Sequence, residues 1–108
     1  MKAFRINADV IVNNASSDNY TIIEVSGLDR PGLLYDLTRA MATLNLNIGS
    51  AHISTFGERV VDVFYVTDLT GQKISNIARQ DVIRERLVQA VDGKLETNSG
   101  AAALVTQS

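Results

Sequence analysis

"YTIIEVSGLDRPGLLYDLTRAMATLNLN", residues 20–47, changes its hydrophobic period in the middle. Tyr20 to Ser26 alternates, with Thr21, Ile23 and Val25 on one side and Tyr20, Ile22 and Glu24 on the other, which is a strand. Beyond the break, Leu34, Leu37, Met41 and Leu44 recur at spacings of three and four, which predicts a helix over about 31–45. Asp36, Arg39 and Thr43 lie off that stripe. The junction is Gly27-Leu28-Asp29-Arg30-Pro31-Gly32-Leu33-Leu34, and it holds the only proline in the chain. Pro31 suits the first helical position, where a missing N–H is harmless.

Working outward, Val10 and Val12 alternate with Asp9, Ile11 and Asn13, predicting a short strand at 9–14. The turn-rich "NASSDN" follows it, so the first two strands can form a hairpin. After the helix, 48–56 and 59–67 read as strands joined at Gly57-Glu58, a two-residue hairpin loop. "DLTGQK" is a further turn. Ser75 or Asn76 can cap a last helix lined by Ile83, Leu87, Ala90 and Val91, and Gly93 can end it.

The order ββαββα contains the split β-α-β pattern of a ferredoxin-like α+β sandwich. The last strand of that pattern is missing after the second helix. Strand 9–14 is expected to fill that edge, giving a permuted antiparallel sheet with two helices on one face. Residues 8–92 form the expected domain, and 93–108, ending in "GAAALVTQS", a flexible tail. Strand 59–67 is apolar on both sides: Val61, Val63 and Tyr65 point one way, Phe64 and Val66 the other. Helices cover one face only. The second is left for a partner sheet, subunit or neighbouring domain, or stays open.

Composition narrows the chemistry. The chain has 108 residues and 45% hydrophobic content, which fits one globular domain. A net charge of −2 gives no footprint for nucleic acid or anionic membrane. The apolar run "VVDVFYV" is too short to span a bilayer. With no cysteine and one histidine, His52, no metal site is expected, and the absence of thiols is compatible with the cytoplasm. His52 stands beside Ser50 and Ser54 on one strand, where side chains stand parallel and do not form a catalytic pair. No phosphate loop or paired carboxylates occur. No catalytic residue is expected.

The junction itself offers binding chemistry. The first turn of a helix presents unpartnered N–H groups and positive potential, which suit a carboxylate. Gly32 keeps the spot uncrowded. Asp29 can accept from an ammonium or amide, or can cap the helix itself.

The motif D-R-P-G-L-L after a core strand, Asn47-Ile48 after the helix and the closing D-V-F-Y-V-T-D strand resemble an ACT domain. "STFGERVVDVFYVTD" is similar in particular to the C-terminal ACT region of bacterial PII uridylyltransferase/uridylyl-removing enzymes. The resemblance covers about residues 8 to 92. It implies an amino-acid-sensing module, with glutamine the expected ligand, working in nitrogen regulation in the cytoplasm. It implies ligand contacts at Leu28, Asp29, Arg30, Pro31, Gly32, Leu33 and Leu34, facing Asn47, Ile48, Gly49 and Ser50 of a second ACT unit. This chain is then a non-catalytic fragment without a cofactor of its own. Mg is expected only in the parent's catalytic domain, and PII is a partner through the parent enzyme.

Overall fold

A computed structural model describes residues 8–93. The order is β1 (Asp9–Asn13), β2 (Thr21–Leu28), α1 (Leu33–Thr43), β3 (Leu46–Phe56), β4 (Arg59–Asp68) and α2 (Ile77–Val91). The four strands form one sheet in the order β1-β2-β4-β3, antiparallel at every pairing. β2 and β3 therefore run parallel with β4 between them, the split β-α-β unit. β1 occupies the edge next to β2, as the permuted ferredoxin-like order requires. The expected tail lies outside the described residues apart from Gly93.

Strand alternation sorts the side chains. Val10, Ile23, Val25, Val60, Phe64 and Val66 face the helices and are buried with Leu33, Leu37, Ala40 and Met41 of α1 and Ile83, Leu87, Ala90 and Val91 of α2. Each large side chain so buried contributes about 1.5–3 kcal/mol. On the opposite face, Val61, Val63 and Tyr65 are half-buried. His52 there packs edge-on against Tyr65, with ring centroids 5.6 Å apart, and Tyr20 does the same at 6.1 Å.

Three expected boundaries shift. Gly27 and Leu28 are not loop: they continue β2, paired with Val60 and Arg59. Pro31 is not the first helical residue, because the chain turns once more through Gly32 and the helix starts at Leu33. The buried stripe of α1 accordingly uses Leu33 with Leu37, Ala40 and Met41, while Leu34 points outward and is 44% exposed. β3 begins two residues early, at Leu46, and has a register shift between Ile48 and Ser50. The ends of α2 are as anticipated: Asn76 accepts from the Arg79 amide at 2.8 Å, and Gly93 has φ +75°.

The two helices are tied reciprocally. Arg30, just before α1, donates to the Ala90 and Val91 carbonyls at the end of α2, at 2.5 and 3.4 Å. Arg79, in the first turn of α2, donates to the Leu44 and Asn45 carbonyls after α1, at 3.2 and 3.3 Å. Each cation donates to carbonyls at the C-terminal end of the other helix, where the helix dipole favours positive charge. At the Arg30 end the approach is tight. A Cβ on Gly27 would lie 2.6 Å from Val91 Cγ1.

Gly27→Ala is therefore expected to lower stability by about 1–3 kcal/mol in urea unfolding. Combined with Val91→Ala, it should lose less than the two single losses added together, because the second change removes the clashing methyl.

Candidate functional site

The end of β2 is held by backbone. The Asp29 amide donates to the Glu58 carbonyl at 2.7 Å, extending the sheet one residue into the loop and fixing it to the β3–β4 hairpin. The Leu33 amide donates to the Arg30 carbonyl at 3.2 Å, closing a turn over Pro31 and Gly32. Gly32 sits at φ +82°, which disfavours any residue with a Cβ. A Cβ built there meets nothing within 4 Å. Gly32 is also the N-cap of α1, and no side chain caps the helix. Asp29 does not take that role. The amides of Leu34 and Tyr35 stay open at an uncrowded helix tip, next to exposed Asp29.

The other loop residues have separate duties. The Arg30 guanidinium is engaged with α2 and with Asp36, whose carboxylate lies 2.9 Å away. Leu33 is core, whereas Leu28 and Leu34 are exposed. Pro31 is exposed in the turn.

Asn47, Ile48, Gly49 and Ser50 lie at the far end of the sheet. Asn47 pairs with Thr67, whereas Leu28 pairs with Arg59 at the other end of β4. Eight strand positions separate the two groups, roughly 27 Å. One chain does not bring them together. Around the second group, Asn19, Tyr20, Asn47, Ile48, Gly49, Thr67 and Gly71 line an open cavity of about 470 Å³. The Tyr20 ring lies flush on Gly49, whose added Cβ would be 2.6 Å from Tyr20 Cε1.

One residue that sequence reasoning passed over belongs to the loop end. Asp62 is on the helix-facing side of β4, level with Val25 and Ile53. It is 2% exposed, and its Oδ1 has no hydrogen-bond partner. Burial raises its pKa, the Ser54 backbone amide opposes that, and the nearby charge of Asp29 raises it further. Neither ion pair among the described residues involves it. The available signal was parity: Asp62 takes a core position in the series Val60, Phe64, Val66.

The ACR family N-terminal ACT domain matches residues 16–94. The chain is 58% identical over 92 residues to the bifunctional uridylyltransferase/uridylyl-removing enzyme of Bradyrhizobium diazoefficiens, covering 85% of this chain and 10% of that protein. It is 60% identical over 88 residues to the enzyme of the same name from Rhodopseudomonas palustris, covering 82% and 10%. For that of Nitrobacter hamburgensis the identity is 55% over 102 residues, covering 94% and 10%. The chain thus spans about a tenth of the length of these relatives. No described helix is long and apolar enough to cross a membrane.

The raised pKa of Asp62 has a signed consequence for stability. Between its unfolded value, roughly 3.9, and its higher folded value, the folded state retains a proton that the unfolded state has released, so stability falls as pH rises. Asp62→Asn has no such proton. The stability of the variant relative to wild type should increase from acidic pH to neutrality, and the dependence should flatten below the unfolded value. Urea denaturation of both proteins across that range measures it.

Proposed function

The chain belongs to the ACT-domain family, and from that premise we propose that it is the regulatory, glutamine-sensing unit of a bifunctional uridylyltransferase/uridylyl-removing enzyme acting in nitrogen regulation. The observation that carries the reading is the uncapped start of α1, kept bare by Gly32. The glutamine carboxylate meets the Leu34 and Tyr35 amides. Its ammonium or side-chain amide meets Asp29 or the backbone of the partner's Asn47. A dissociation constant of about 1 mM corresponds to roughly −4 kcal/mol, within reach of a few polar contacts and suited to a metabolite sensor. Uridylyl transfer to PII, and Mg binding, belong to other parts of the parent.

The second half of the site comes from another ACT unit, in a homodimer or an intramolecular tandem. β3 is an eleven-residue edge strand, exposed from Asn47 to Phe56. Such an edge invites strand pairing. Two β3 edges paired antiparallel bring the start of one, with Asn47 to Ser50, toward the end of the other and its loop. That remedies the separation within one chain. Glutamine then regulates by binding one arrangement of domains better than another.

A second reading is a ligand-free assembly module. It is favoured by the open sheet face, where Val61, Val63 and Tyr65 lie with exposed Ile11 and no described element covers them.

Amide shifts during titration with the twenty amino acids separate the two. Changes confined to 28–34 and 47–50 with glutamine support sensing; a flat response supports assembly. Gly32→Asn tolerates the left-handed backbone and adds only a side chain over the helix tip. It should keep the fold within about 1 kcal/mol and weaken glutamine binding at least tenfold. Normal binding by this variant would remove the helix tip from the site.

Ile53 is 47% exposed on the β3 edge. Ile53→Lys should shift sedimentation toward the monomer, since an edge lysine opposes strand pairing. An unchanged sedimentation coefficient would place the contact elsewhere.

A further inference from the structure

We infer that Asp62 is the group that recognises the α-ammonium of the amino-acid ligand, an assignment that rests on the sensor reading and adds a residue to its site. Three observations carry it. Asp62 is a carboxylate on a central strand, 2% exposed, with one oxygen unsatisfied. A buried polar atom without a partner is unfavourable, so a native protein that keeps one calls for an explanation. Its position is specific: it lies three residue pairs from the Leu28–Arg59 end of the sheet, on the side that carries α1, and feels the charge of Asp29. Its flanks are unequal. Val25 on one side is fully buried, while Ile53 on the other, on the edge strand, is 47% exposed.

The same end of the sheet thus holds open amides at the helix start and, three residue pairs in from Leu28–Arg59, an unsatisfied carboxylate that feels the charge of Asp29. Those are the complements of a carboxylate and an ammonium on one carbon. Arg30, the cation of the loop, is taken by Asp36 and the end of α2. The carboxylate of Asp62 was already stripped of water when the protein folded, so an arriving ammonium desolvates only itself. Asp29, exposed at the rim, is left for the ligand's side-chain amide.

The test compares glutamine with glutaramic acid, which is glutamine without its α-ammonium, on the full chain by NMR. Wild type should bind glutamine roughly 30- to 100-fold more tightly, the scale of one buried charge-assisted contact. The carboxyl carbon of Asp62 should shift with glutamine and stay still with glutaramic acid. Asp62→Asn should lose the preference between the two. Equal glutamine binding by Asp62→Asn, or a retained preference, overturns the assignment while the sensor reading stands. A wild type that binds neither compound overturns both. If the variant does not fold, the Asp62 carboxyl shift in wild type decides alone, and an unmoved signal counts against the assignment.

Discussion

Two helices can cover one face of a four-stranded sheet, and they do not reach all of it. Most of this structure follows from that constraint. The covered face takes one parity of each strand: Val10 in β1, Ile23 and Val25 in β2, Val60, Phe64 and Val66 in β4. The uncovered face keeps a milder apolar character, with Val61, Val63 and Tyr65 half-buried. The shortfall lies along β3. Ile53 has the parity of the covered face yet remains 47% exposed on the edge strand. An exposed edge strand with apolar side chains is the feature a partner would meet first.

Within the covered layer, position is set by close contacts as well as by apolar area. Arg30 and Arg79 each grip the carbonyl end of the helix opposite, so the antiparallel pair is pinned at both ends. Gly27 lets α2 descend onto β2 with Val91 against bare backbone. Arg30 belongs to the scaffold that holds the loop, and the helix start beside it stays open.

The proposed site gains its logic from what the monomer lacks. The helix tip near Gly32 and the bulged strand near Gly49 stand at opposite ends of the sheet. Neither encloses a small molecule alone. Under the proposed reading, a two-unit arrangement across β3 supplies the missing half, and ligand binding is then coupled to how the units associate. Asp62, three residue pairs in from the Leu28–Arg59 end, adds a buried acidic group with an unsatisfied oxygen, and the helix start carries positive potential.

The sequence by itself determined the elements, their order and most of the core. Period two in "YTIIEVS", period 3.6 in "LLYDLTRAM" and the Gly57-Glu58 turn are local signals, and local backbone geometry obeys them. It also marked the loop, since Pro31, Gly32 and a helical start together restrict the backbone there. Tertiary structure alone decided that Leu33 replaces Leu34 in the core. The extra turn through Gly32 rotates the helix, and neighbouring apolar residues do not reveal that phase. It decided that Arg30 faces the end of α2, sixty residues later in the chain, and that Gly27 is needed because of Val91. It set Asn47 to Ser50 far from the loop, because an antiparallel sheet orders its ends by strand direction. Asp62 was legible as a charge among apolar residues. Its burial and unpaired oxygen were not, because solvation depends on every element packed around a group.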